Sequence, residues 1–286
     1  MVLRVPAIGL AAMVATAGTL TVATGAHANT SAPDYSEFTN SSVVTKGGIS
    51  ARITTGLAEG KEGSTGGAFS DFSHLVDLVE INFDANISFD SGKYYSNGLT
   101  FSATAKGGFG SSGTNIKADN WAPANPFDYD PSNSNLQKNK TNYLAVFKGN
   151  SVEVSLGQTM NYFGINWGAL SNGNRFILKK DGQEVSRFEY SDINPVAPIF
   201  AKHQNGHLNG GKGEGNAYLH FYADDATGLF DSLVIEQTTG GGFEVDNFSY
   251  IAGNKGFDWE TESVPEPGML LGLLTLAGVV TYKRYS

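Results

Sequence analysis

Short runs that alternate apolar and polar residues, or are rich in β-branched ones, recur along the middle of this chain with glycine clusters between them. Alternation of period two gives a strand one buried face, whereas a helix needs apolar residues three and four apart. The clearest runs are Ile49–Thr55, Val76–Phe83, Leu99–Ala105, Tyr143–Phe147, Ser151–Leu156, Tyr162–Trp167, Arg175–Lys179, Ala217–Ala223, Phe230–Glu236 and Phe243–Tyr250. With the partner strand of the Asp181-Gly182 turn they make about ten or eleven short strands, and no convincing long amphipathic helix accompanies them. The expectation is an all-β fold, an antiparallel β-sandwich of jelly-roll-like form in which two sheets pack face to face.

Turn residues carry the next level of detail. Gly149-Asn150 is expected to join 143–147 and 151–156 as a hairpin. Asp181-Gly182 is the strongest turn signal. A two-residue type I′ loop there sets Lys180 opposite Gln183 and Leu178 opposite Val185. A three-residue loop sets Lys180 opposite Glu184 and Phe176 opposite Phe188, which gives better cross-strand partners. Residues 29–48 read as a polar arm, 106–141 as a long irregular segment of the kind that is usually functional or mobile, and 192–216 as a second irregular region. The glycine-rich stretch 56–67 lacks the GxxxxGK[ST] pattern of a phosphate cradle.

Composition narrows the function classes. The chain has 286 residues and no cysteine. An exported protein of this kind has to be stable through burial alone, and roughly 235 residues suffice for one sizeable core. Taking Arg4, Lys283 and Arg284 from the 19 basic residues leaves 16 against 28 acidic ones, about −12. Such a balance argues against nucleic acid and against anionic lipid headgroups, both of which need a basic face.

The two ends read as addresses. Arg4 is the only charge before Asp34, an Ala- and Val-rich stretch follows it, and Ala26-His27-Ala28 is a small-x-small cleavage site that makes Asn29 the new N-terminus. At the other end stands Ser263-Val-Pro-Glu-Pro-Gly268, and 15 residues without charge, Gly268 to Tyr282, lead to Lys283-Arg284. As a helix those residues reach roughly 22 Å, short of a hydrocarbon core of about 30 Å. The basic pair belongs on the cytoplasmic side. The partition is therefore a signal peptide over 1–28, an exported β-sandwich domain over 29–262, and a tail with a short apolar helix over 263–286.

Motif, apolar run and basic stop together resemble the PEP-CTERM sorting signal of bacterial surface proteins. The resemblance implies that the membrane enzyme exosortase recognises Pro265, Glu266 and Pro267, with Lys283 and Arg284 as the stop. It further implies the general secretion machinery and, transiently, the inner membrane as partners, and a destination at the cell surface or in an extracellular polysaccharide matrix. The family's tails often end with more arginine than the single Lys-Arg here. A softer resemblance covers about 143–250: Phe163-Gly-Ile-Asn-Trp-Gly168, the Asp-Gly hairpin and Gly242-Phe-Glu-Val-Asp-Asn247 are similar to a family of exosortase-dependent surface proteins without established activity.

Within the domain the candidate chemistry is sparse. Asp128, Asp130 and nearby Ser132, Asn133 and Asn135 offer oxygen ligands of the sort calcium takes, without the glycine and glutamate of an EF-hand loop. The competing reading is a polar turn about Pro131. Glu244 or Asp246 would serve a cation or ligand if their strand were internal. The competing reading is an edge strand where they meet water or backbone. Strict alternation puts Phe243, Val245 and Asn247 on one face and Glu244, Asp246, Phe248 and Tyr250 on the other. His203 and His207 stand in a loop with no helix to align them, and His220 lies in a strand. Among the aromatics Trp121, in the long loop, is the candidate sugar platform, while Trp167 reads as core. No serine elbow is present and no catalytic residue is named; no cofactor is required, with calcium the one ion the residues suit. The function expected is a non-catalytic surface protein, structural or binding glycan or calcium in the matrix. The alternative is a hydrolase or lyase acting on polysaccharide from the same sandwich.

Overall fold

A computed structural model describes residues 43–54, 56–57, 67–84, 88–90, 92–103, 109, 113–118, 141–193 and 215–262. Both termini, Trp121, Asp128, Asp130, His203 and His207 lie outside them. Among the described residues fourteen strands form one hydrogen-bonded network, all antiparallel. They are β1 Val44–Lys46, β2 Ile49–Thr54, β3 Val79–Ile81, β4 Ser88–Asp90, β5 Lys93–Ser96, β6 Leu99–Ala103 and β7 Thr114–Ala118, followed by β8 Asn142–Phe147, β9 Asn150–Leu170, β10 Asn174–Lys180, β11 Gln183–Glu189, β12 Gly215–Ala223, β13 Phe230–Gln237 and β14 Gly242–Ala252. Two single α-helical turns, α1 (Tyr190–Ile193) and α2 (Trp259–Glu262), and a 3-10 turn at Ala226–Gly228 complete the list.

Strand β9 organises the network because its two halves belong to different layers. Residues 150–155 pair with β13, and 152–155 pair with β6 on the other edge. Residues 160–170 pair instead with β12 and β14. Between the halves the register slips: Phe230 stands opposite Met160 and Ser232 opposite Ser155, so 156–159 bulge out against Asp231 alone. Gly157, at φ 76°, accommodates the break at no steric cost. One layer then reads β4-β5-β6-β9-β13-β10-β11. The other reads β1-β2-β12-β9-β14, with β8 and β3 sharing the far side of β14 and β7 beyond β8.

The layers meet through aromatic rings. Phe176 of β10 packs against Phe221 of β12, Trp167 of β9 and Phe243 of β14, with centroids 5.0 to 5.2 Å apart and rings steeply inclined. Farther along, Phe101 of β6 stacks on Phe248 of β14 at 5.6 Å, and Phe83 closes edge-on against both. All these side chains are buried. Edge-to-face rings at this separation add about 0.5–1.5 kcal/mol beyond the area they bury. This core stabilises a protein that has no disulfide to fall back on.

The all-β sandwich expected from the sequence is present, and several local expectations change. The Asp181-Gly182 loop has two residues, with φ of 51° and 74°, and Lys180 faces Gln183. A bulge between Leu178 and Lys179 then restores Phe176 opposite Phe188. Each loop reading is thus half right, and Leu178 faces Ser186 rather than Val185. The 143–147/151–156 hairpin does not form. β8 pairs with β14 and β7, and the turn at Lys148-Gly149 hands the chain from one layer to the other. Only Val79–Ile81 of the run 76–83 is strand, and Val76 is almost fully exposed in a turn.

The strict alternation along β14 also fails. Asn247 has φ 43°, and the pairing with β9 shifts between Asp246 and Ser249. One residue is inserted, so Phe248 and Tyr250 return to the core with Phe243 and Val245. Glu244 and Asp246 keep the opposite face. β14 is no edge either, since it has partners on both sides.

Because Phe176 ties three strands of one layer to its own, Phe176→Ala should cost about 3–5 kcal/mol. Urea unfolding monitored by circular dichroism checks this, and the change should appear in the midpoint rather than the slope.

Candidate functional site

The face of the β12-β9-β14 layer turned away from the core carries a polar group of unusual density. Tyr162, Tyr218, His220 and Ser249 point there from three neighbouring strands, and all are buried. Gly164 makes room for them. A Cβ at that position would come within 2.5 Å of Ser249 Oγ, 2.6 Å of the Tyr162 hydroxyl and 2.7 Å of the Tyr218 ring. Tyr162 Oη lies 2.8 Å from His220 Nδ1 and 2.7 Å from Ser70 Oγ. His220 Nε2 lies 3.0 Å from Asp71 Oδ2 and 2.8 Å from Thr54 Oγ1. The Tyr218 hydroxyl is 2.7 Å from Ser249 Oγ and donates to the Asn247 carbonyl.

The order Asp71, His220, Tyr162 resembles a proton relay, but its environment assigns it another task. Phe72, Phe257 and Trp259 cover it, with Trp259 edge-on to His220 at 4.9 Å and Arg52 over the Trp259 ring at 4.5 Å. Burial holds the His220 pKa below the usual histidine value, although Asp71 pulls it the other way, and it pushes both tyrosines up. A neutral imidazole donates from Nε2 to Asp71 and accepts the Tyr162 proton at Nδ1, so both nitrogens are satisfied. The relay fastens the 67–78 segment and α2 onto the sheet, as a satisfied buried network does.

A second polar spot lies on β14, at the level where β8 pairing ends and β3 pairing has not begun. Asp246 is fully buried there. Thr141 Oγ1 donates to its Oδ2 at 2.7 Å, and the Asn247 amide donates to its Oδ1 at 2.8 Å. Desolvation outweighs these donors, and with Asp84 nearby raises the Asp246 pKa to about 8. Glu244, two residues earlier, shares the face and is also buried. The sequence offers either of these two acids for a cation or ligand site, and in the structure both are buried on the same face of β14. Among the described residues no group of three or more His, Asp or Glu side chains could hold a metal ion.

An open cleft of about 400 Å³ lies beside the covered relay. The turn at Leu75, Val76 and Asp77 forms one wall. The end of β14 (Ile251, Ala252), the loop 253–258 and α2 form the other, and Asn161 of β9 closes the base. Hydrogen bonds pin both walls. Gly253 donates its amide to the Thr159 carbonyl and accepts from Thr159 Oγ1, the Phe257 amide donates to the Ala223 carbonyl, and His74 Nε2 lies 3.0 Å from the Glu262 carbonyl oxygen.

Sequence reading missed this cleft. Asn161 precedes the Tyr162–Trp167 run, and residues 76–78 fall inside the strand-like run 76–83. The Gly253-Asn-Lys-Gly256 turn, directly after a strand, is the one signal that marks its outer wall. Of the tryptophans, Trp167 is in the core and Trp259 forms part of the relay's cover.

No family model matches the chain, and no curated protein matches it. Among solved structures, the catalytic domain of a GH87 alpha-1,3-glucanase in complex with tetrasaccharides aligns at 15% identity with a TM-score of 0.26. The match spans 55% of this chain and 28% of that one, and likeness at that level carries neither fold nor function across.

The pKa shifts set a pH dependence. Asp246 binds its proton more tightly folded than unfolded, so stability falls as pH rises from about 4 through about 8. His220 binds its proton more weakly when folded, so it lowers stability only as pH drops below about 6.5. Between about pH 6.5 and 8 Asp246 acts without that opposition, and stability should fall by at most about 1.4 kcal/mol per pH unit. Denaturant unfolding of wild type and Asp246→Asn across this window checks it, the variant losing the slope.

Proposed function

We propose that this chain is an exported, non-catalytic β-sandwich protein displayed at the cell surface or released into an extracellular polysaccharide matrix. The general secretion machinery carries it through the inner membrane after recognising residues 1–28. Exosortase then acts at Pro265-Glu266-Pro267, with the apolar run and Lys283-Arg284 holding the tail in place. The observation that carries this reading is the pair of sequence addresses bracketing a cysteine-free body. What supports the non-catalytic part is the closure of the one relay-like constellation described, whose tyrosine and imidazole lie fully buried under aromatic side chains. Among the described residues no helix is long and apolar enough to cross a membrane.

The rival reading, a polysaccharide hydrolase or lyase, draws on the carboxylates that rim the cleft. Asp258 is poorly suited to act as a general acid. Its side chain bonds the Thr261 hydroxyl and amide, which holds its pKa below the usual range.

In a host that carries the sorting enzyme, removing residues 263–286 should shift the protein from the surface fraction to another compartment. Intact mass of the wild-type product should begin at Asn29. An unchanged distribution after truncation, or a product that keeps residues 1–28, would contradict the reading.

A further inference from the structure

We infer that the cleft at the base of α2 is a binding site for a single uncharged sugar ring, a terminal or branch unit of a polysaccharide. It borrows from the reading above only the place where such a sugar would be met. The binding itself is a property of the folded chain.

Three observations converge. The first is size: about 400 Å³ lies at the small end of ligand sites, roughly 300–1,000 Å³, and suits one pyranose rather than a chain. The second is the base. Asn161 is 93% buried, at 7% exposure, and its Oδ1 has no hydrogen-bond partner among the described residues. A buried carbonyl oxygen left without a donor costs about 1–3 kcal/mol. That oxygen is closed off from the cleft, so a turn of the amide is what brings it to a sugar hydroxyl; so turned, the amide can serve two neighbouring hydroxyls, one through oxygen and one through nitrogen. Gly253 keeps the position available, since a Cβ there would press to 2.5 Å of Asn161 Nδ2 and 2.6 Å of Cγ.

The third is the lining. Leu75, Ile251 and Phe257 offer C–H-rich surface of the kind a pyranose face covers, and Asp77, Asp258 and Glu262 offer acceptors to its hydroxyls. Those three carboxylates face one ammonium, Lys255, so uronic acids and sulfated sugars are repelled. An apolar ligand would leave the acceptors unsatisfied. The pinned walls mean that little of the site must be ordered on binding, which favours a weak ligand.

The test uses the full-length chain, labelled with nitrogen-15 and titrated with glucose, galactose, glucuronate and butylammonium. Glucose or galactose should shift the Asn161 side-chain signals and the Gly253 and Phe257 amides saturably, and glucuronate should not. Asn161→Leu should weaken that binding at least about tenfold. Val76→Trp, at the exposed mouth, should weaken it as much, with the thermal midpoint of the wild type. The second variant keeps the test sound if the first unfolds. Butylammonium binding as tightly as the sugars would overturn the inference in favour of a charge site. So would an absence of saturable shifts with either neutral sugar, or sugar binding that survives in Val76→Trp. None of these outcomes bears on where the tail sends the protein, so the two readings can fail separately.

Discussion

Strand β9 has to hydrogen-bond in two layers at once, and most of the architecture follows from how it does so. Its first half lies between β6 and β13, its second between β14 and β12. A strand of 21 residues cannot run straight across both faces of a sandwich. The bulge at 156–159 lets it turn, and the aromatic core then fills the space between the layers. Phe163, Ile165 and Trp167 face that core from one half, Val152 and Val154 from the other. Neither layer is complete without this strand, so folding of the two should be cooperative.

The same strand positions the chemistry on the opposite face. Tyr162 and Asn161 are neighbours in sequence, and β9 continues through Gly164 and Asn166. Tyr162 enters the covered relay with His220 and Asp71, while Asn161 closes the cleft outside that cover. One segment, 67–78, both supplies Asp71 to the relay and forms a wall of the cleft through Leu75 to Asp77. The relay therefore ties one wall of the cleft to the sheet, and burial of its histidine favours the neutral imidazole. Asp246 is a cost in the same region, a carboxylate whose burial favours its protonated form.

Strand location was legible because it depends on local pattern: β2, β6, β10, β12 and β13 fall close to the runs read from the sequence. Pairing was less so. Tyr143–Phe147 and Ser151–Leu156 look like hairpin arms, yet distant β14 competes better for β8 than its neighbour does. The reversal of Phe248 and Tyr250 could not be read from alternation, because one asparagine in a left-handed conformation shifts every residue after it. Glu244 and Asp246 do share one face of β14, as alternation has it, and both are buried. Asn161 and Asp77 were not found, since a cleft made by a turn, a loop and a strand end leaves no periodic trace.

Hydrogen exchange along β9 under native conditions tests the shared-strand account most directly. Amides in both halves, such as those of Val152, Val154, Phe163 and Ile165, should exchange only through global opening, with free energies that agree within about 1 kcal/mol and fall in parallel with denaturant. If one half opens by a separate, lower-energy route while the other stays protected, the layers are independent units and the account is wrong.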